Sequence, residues 1–152
     1  MNRSRHRRVL AVASSGGHWI QLRRLEPAFE GHDVVWLTTH AGHRAEVAPA
    51  RLHTVADANR GSKVALLRSA AKIAWVLLRE RPDIVVSTGA APGYLAIRAA
   101  RLLRARTVWI DSIANVDELS LSGRMASGRA DLCLTQWPHL AGGRVKHRGA
   151  VL

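Results

Sequence analysis

Residues 8–18 read Arg8-Val9-Leu10-Ala11-Val12-Ala13-Ser14-Ser15-Gly16-Gly17-His18, and this stretch decides the fold class. From Arg8 to Ser14 the chain is continuously apolar rather than alternating, the pattern of a strand covered on both faces. Two serines and two glycines then interrupt it, and a helical spacing takes over. Ile20, Leu22, Leu25 and Phe29 recur between His18 and Phe29, and Pro27 ends or kinks the last turn. Strand, glycine turn and helix in immediate succession make the opening unit of an α/β sheet protein.

The same alternation continues downstream. Asp33 to Thr39 is a second β-branched run and Leu52 to Ala56 a weaker third, with a loop or short helix expected from His40 to Ala50 between them. Lys63 to Arg79 is the longest helical candidate, and its Arg68, Lys72 and Arg79 fall within about 40° of one another around the helix axis. Asp83 to Thr88 reads as a buried strand closed by Gly89, and Pro92 to Arg104 as a helix. Thr107 to Ile110 and Asp131 to Gln136 complete the strands, separated by a polar stretch that includes Ser120 to Arg129; Gly142 to Gly149 reads as a basic loop. Apolar strands alternating with helices imply a doubly wound, mostly parallel, Rossmann-like sheet with right-handed crossovers. With no repeat and no internal linker, the expected organisation is a basic arm at residues 1–7 and one domain from 8 to 152.

Size and composition agree. At 152 residues, with 47% hydrophobic and 22% charged residues, the chain suits one domain with a real core and not a disordered or fibrous protein. Its net charge is +12, and twenty of the twenty-three cations are Arg, so an anionic partner is expected: nucleic acid, acidic lipid or a phosphorylated substrate. Cys133 stands alone, which excludes an internal disulfide or a multi-cysteine zinc site and fits the reducing cytoplasm. The most apolar stretch, Ala70 to Leu78, is cut by Lys72 and stopped by Arg79, short of a membrane span. Met1 to Arg8 carries four Arg but no apolar middle, so it is expected to be retained as a basic arm rather than removed as a signal peptide.

The two glycine turns bear the chemistry. Ser14-Ser15-Gly16-Gly17-His18 and Thr88-Gly89-Ala90-Ala91-Pro92-Gly93 each join a strand to a helix, so both should open at the carboxyl edge of the sheet, where ligands of such folds bind. Bare backbone amides at a helix start suit a phosphate, although glycines also suit a tight turn with no ligand. A dinucleotide fingerprint is missing, since there is no Gly-x-Gly-x-x-Gly and the second strand ends in Thr38-Thr39-His40 instead of an acid. A Gly-Lys-Ser/Thr phosphate loop is also missing. Trp109-Ile110-Asp111-Ser112 should bring a carboxylate and a hydroxyl to the same edge, unless Asp111 only caps a turn.

Ser14-Ser15-Gly16-Gly17-His18, Ser87-Thr88-Gly89, Trp109-Ile110-Asp111-Ser112, Leu119-Ser120-Leu121-Ser122-Gly123-Arg124 and Asp131-Leu132-Cys133-Leu134-Thr135-Gln136-Trp137-Pro138 occur in an order and spacing that resemble a known family. It is the membrane-associated subunit of the two-part N-acetylglucosaminyltransferase of the dolichol pathway, with its bacterial relatives in exopolysaccharide and capsule synthesis. The resemblance covers nearly the whole chain from Arg8 onward, and the Ser-Leu-Ser-Gly-Arg and Gln-Trp-Pro segments are its most specific part. It implies the N-terminal, acceptor-side half of a MurG-like GT-B glycosyltransferase, with the nucleotide-sugar half supplied by a separate small protein for which 152 residues leave no room.

The implied reaction moves a sugar from a UDP-sugar to a polyprenyl-diphosphate-linked sugar at the cytoplasmic membrane face, with inversion and with no cofactor or required metal. Ser15, Gly16, Gly17 and His18 would cradle the acceptor diphosphate; Gly89, Ser112 and Arg124 would line the crevice; His18 or Asp111 would act on the attacking hydroxyl. Asp111 stands where the family more often has Glu, one methylene longer, which leaves open whether it is a base or an orienting group. Trp137 and Pro138 would face the partner subunit. Eukaryotic members carry an N-terminal membrane anchor, whereas the four-Arg arm here implies peripheral attachment to anionic lipid. Two other readings compete: a basic nucleic-acid-binding module, disfavoured by the lack of an aromatic or zinc signature, and a non-catalytic membrane scaffold.

Overall fold

The structure, a computed structural model, describes residues 6–57 and 62–151. Most of the expected basic arm, residues 1–5, lies outside the described residues. Seven strands form one parallel sheet: β1 (Arg8–Ala13), β2 (Asp33–Thr38), β3 (Arg51–Thr54), β4 (Ile84–Gly89), β5 (Arg106–Ile110), β6 (Leu132–Thr135) and β7 (Val145–His147). Their order across the sheet is β3-β2-β1-β4-β5-β6-β7. Among the described residues the α-helices are α1 (Gly17–Arg24), α2 (Arg44–Val47), α3 (Lys63–Glu80), α4 (Ala90–Leu102) and α5 (Leu121–Ser127).

The continuous apolar reading of β1 follows from burial on both sides. Leu10 and Val12 pack into the core built with α3, α4 and α5, while Val9, Ala11 and Ala13 pack into a second core with Trp19 and Leu22 of α1. Burying every side chain of a central strand leaves no alternation in its sequence. Pro27 acts as expected: α1 stops at Arg24 and the chain continues as a 3₁₀ turn over Glu26–Phe29.

Three expectations are corrected. The stretch Gly142 to Gly149 is not simply a loop, because Val145–His147 adds a seventh strand beside β6, pairing Cys133 with Val145. Three residues with a single apolar member are too short to show a period. The polar stretch after β5 contains α5, whose sequence Leu-Ser-Gly-Arg-Met-Ala-Ser has little apolar pattern; its capping explains its presence, since Ser120 accepts from the Gly123 amide at 2.8 Å. Finally, α4 starts at Ala90 and not at Pro92. Pro92 therefore sits inside the first turn, where its missing N–H costs nothing.

Candidate functional site at the carboxyl edge

At the sheet centre β1 and β4 are neighbours, and the chain leaves them in opposite directions: α1 packs on one face and α4 on the other. This is the switch point where doubly wound sheets open a crevice. The bodies of the two helices are separated by the sheet, yet their first turns meet above its edge. Val12 pairs with Ser87 and Ala13 with Gly89, so Thr88 is an extra residue bulged out of the ladder. The bulge turns Thr88 to His18: its hydroxyl donates to the His18 carbonyl at 2.7 Å, and its carbonyl lies 3.0 Å from His18 Nδ1. A carbonyl only accepts, so Nδ1 carries a proton, and in a neutral ring the lone pair is on Nε2.

Gly89 makes this contact possible. It adopts φ +141°, and a Cβ there would overlap the His18 ring. The next residue, Ala90, is held at φ +64°, a conformation that non-glycine residues avoid and that clusters at functional sites. Across the crevice Gly16 turns at φ +76°, and the space beyond Gly16 and Gly17 is empty to 4 Å. Neither α1 nor α4 has a side-chain cap at its start, and neither has an acidic residue in its first turn. Two uncapped helix starts thus present unpaired amides and partial positive charge toward one opening. Ser15 is fixed beside them by donating its amide to the Thr39 hydroxyl at 3.0 Å.

Asp111 belongs to a different arrangement. It is only 1% exposed, and its oxygens accept from the Trp109 indole (3.1 Å), the Asn115 amide (3.1 Å), the Ser120 amide (2.9 Å) and the Ser120 hydroxyl (2.6 Å). Four donors from the surrounding protein occupy both oxygens, so this carboxylate organises the segment between β5 and α5. The motif Leu119 to Arg124 has its physical reason here: Ser120 caps α5 and donates to Asp111, and Gly123 leaves room for that carboxylate, which a Cβ would strike. Burial, together with the nearby Asp111 charge, pushes the Cys133 thiol up to about 12.

Ser112 is likewise turned inward, accepting from the Gln21 side chain at 3.1 Å and the Ala114 amide at 3.2 Å. The crevice therefore gathers Ser15, Gly16, Gly17, His18 and Gly89, while Ser112 is tied to α1 through Gln21 and the Asp111 carboxylate faces the segment between β5 and α5. Arg124 is exposed on α5 and paired with Glu118 at 2.8 Å. Trp137 is half-buried, its indole donating to the Ile113 carbonyl at 2.8 Å, and Pro138 is exposed at the start of a 3₁₀ turn.

Sequence reasoning gave no role to Thr88, Gln21 or Gln136. Gln21 and Gln136 are buried and bonded to each other at 2.6 Å; Gln136 also donates to the Asp111 carbonyl at 2.9 Å, and Gln21 accepts from the Ile113 amide at 3.2 Å. They tie α1 to the segments after β5 and β6. For Gln21 the signal was available: a polar residue beside the apolar stripe of α1 demands a partner. A cavity of about 350 Å³ between Leu77, Arg81, Pro82 and Leu103 lies at the other ends of α3 and α4, remote from both glycine turns.

Comparisons with known proteins bear on the family and the fold. Residues 36–151 match the model of the family described as "Oligosaccharide biosynthesis protein Alg14 like". The chain is 28% identical over 176 aligned positions to the UDP-N-acetylglucosamine transferase subunit ALG14 of Eremothecium gossypii, an alignment covering 89% of this chain and 75% of that protein. A shorter alignment with the same subunit of Yarrowia lipolytica has 36% identity over 69 positions, 41% of this chain and 32% of that one. Among solved structures, MurG of Acinetobacter baumannii superposes with a TM-score of 0.78 at 17% identity, covering 96% of this chain and 46% of MurG. UDP-N-acetylglucosamine 2-epimerase of Rickettsia bellii superposes at 0.71 with 16% identity, covering 95% and 45%. The chain thus spans under half the length of these solved structures, and at such identities they establish the Rossmann-like GT-B fold alone. The match of the family model over residues 36–151, most of the sequence, places this chain in the Alg14-like family of oligosaccharide biosynthesis proteins.

Proposed function

We propose that the chain is the acceptor-side subunit of an inverting, UDP-sugar-dependent glycosyltransferase. It binds a polyprenyl-diphosphate-linked sugar at the cytoplasmic face of a membrane and is completed by a small nucleotide-sugar-binding partner, for polysaccharide or lipid-linked oligosaccharide synthesis. One observation carries this reading: the uncapped starts of α1 and α4 meet across the His18–Thr88 pair. A diphosphate matches that opening in charge and in its need for N–H donors. Gly17 is helical, with no positive φ and no close neighbour, so the fold itself does not require a glycine there, which supports a ligand approaching its amide. The relative's name as a transferase subunit supports a divided enzyme.

In this reading the Thr88 carbonyl holds His18 in the tautomer whose Nε2 takes the proton of the attacking hydroxyl. Ser112 positions α1 through Gln21, Asp111 orders the segment between β5 and α5, and Trp137 and Pro138 are the residues offered to the partner. Membrane contact falls to α3. Plotted at 100° per residue, its exposed Leu67, Leu78, Val64 and Trp75 share an arc of about 80°, flanked by Arg68, Arg79 and Lys72. Lys72 Nζ and the Arg79 guanidinium lie 4.3 Å and 5.3 Å from the Trp75 ring centre. No helix among the described residues is long and apolar enough to cross a membrane.

The test combines the chain, the partner subunit, UDP-sugars and a short-chain lipid-diphosphate sugar. Product should form only with both proteins, and product with either omitted defeats the proposal. His18→Asn keeps a donor for the Thr88 carbonyl but lacks the distal nitrogen, so turnover should fall by about 10²–10⁴ with melting unchanged. Full turnover in both His18→Asn and Asp111→Asn, with the chain still required, would instead establish the scaffold reading.

A further inference from the structure

An open groove of about 390 Å³ runs between α3, α4 and α5 on the side of the carboxyl edge where α4 begins. Its floor and walls include Leu66, Tyr94, Leu95 and Met125, and Lys63 and Arg98 stand at its sides. Leu66 and Met125 are 41% and 45% exposed, unusually high for large apolar side chains that already share a concavity. The groove is connected at both ends to features already described. Ala91, in the first turn of α4, lines it, two residues beyond Gly89 and the His18 contact. At its other side α3 continues into the exposed Val64 and Leu67 of the apolar arc assigned to the membrane.

We infer that this groove holds the isoprenyl units nearest the diphosphate of a polyprenyl-diphosphate ligand. The inference rests on the acceptor reading above and deepens it by assigning the lipid chain a seat on the protein. The chemistry required of such a seat is an apolar channel that starts at an anion-binding point, carries a cation near that start and leads to the bilayer. The groove supplies these: the uncapped α4 start, Lys63 at the first position of α3, the four apolar side chains with Arg98 about 12 Å farther along α4, then the outer face of α3. Its volume is at the lower end for a small-ligand site, so it accommodates only the head of a long polyprenyl chain, and the remainder passes over α3 into lipid.

The experiment is calorimetric titration of the whole chain, without vesicles, with two probes: inorganic pyrophosphate and farnesyl diphosphate. Wild type should bind farnesyl diphosphate at least tenfold more tightly than pyrophosphate, because the apolar tail leaves water for the groove. In the double variant Leu66→Glu/Met125→Glu that preference should vanish while pyrophosphate affinity stays as in wild type. Leu121→Glu, at a further exposed position lining the groove, provides an independent variant should the double one melt early. Equal wild-type affinity for the two probes overturns the groove assignment and leaves the diphosphate reading standing. So does a preference that survives in the variants. Failure of wild type to bind either probe overturns the acceptor reading, and the groove with it.

Discussion

Gly17 and Gly89 belong to the two glycine turns of the crevice, but the same substitution should act on them in opposite ways. Gly89 is confined by φ +141° and by the His18 ring, so Gly89→Ala should cost about 1–3 kcal/mol in urea unfolding and abolish reconstituted turnover. Gly17 is helical and a Cβ added there would meet no atom within 4 Å, so Gly17→Ala should leave stability unchanged or raise it by about 0.4–1 kcal/mol. The methyl group should nevertheless weaken diphosphate binding by standing over the amides; unaltered binding in Gly17→Ala would remove the amide cradle from the proposal. Asp111→Asn replaces an acceptor-only group with one that points a donor at donors. For a side chain 1% exposed with four such partners, the expected loss is about 2–4 kcal/mol, read by denaturant unfolding.

At the scale of elements, the opposite edge of the sheet is held by charge. Arg8 of β1 donates to Asp33 of β2 at 2.6 Å and to the Glu80 carbonyl of α3 at 2.7 Å. Arg51 of β3 reaches both Asp33 and Glu80 at 3.2 Å, and His53 lies 2.8 Å from Glu80. Three strands and the longest helix thus share one network. The hydrogen bond from Arg8 leads the effects that hold the Asp33 carboxyl below its ordinary 3.8; burial opposes it, and Arg51 adds to it. A carboxylate with a depressed native pKa stabilises fully above its unfolded pKa, and the gain is lost as pH falls through the native value. Asp33→Asn should therefore be about 1 kcal/mol less stable than wild type at neutral pH, and the gap should close below pH 3.8. A gap that persists undiminished well below pH 3.8 would show that Asp33 acts through packing rather than charge.

For the molecule as a whole, the excess of +12 acts at long range. Some of it is neutralised internally, as in the pairs of Arg8 with Asp33 and Arg124 with Glu118, but the cations beside the apolar arc of α3 remain exposed. Co-sedimentation with anionic vesicles should be strong at low salt and largely lost by about 0.5 M NaCl, where the Debye length shrinks to a few ångströms. Leu67→Glu/Leu78→Glu should weaken it at every salt concentration, since both side chains belong to the exposed apolar arc and are 71% and 60% exposed. Salt-independent binding, or binding indifferent to that double change, would remove α3 as the membrane face.

Much of this architecture is legible from the chain alone. The order of strands and helices, the doubly wound sheet and the location of both glycine turns at one edge follow from residues close together in sequence, because burial on both faces and helical periodicity are local patterns. The short α5 and β7 escaped because seven and three residues, respectively, carry too little pattern, and they are held instead by a capping serine and a neighbouring strand. The site itself depended on pairing at a distance. His18 meets Thr88 across 70 positions, Gln21 meets Ser112 across 91 and Gln136 across 115. Only the tertiary structure turns Asp111 inward and leaves His18 at the opening, because which donor satisfies which buried acceptor is decided by packing in space and not by spacing along the chain.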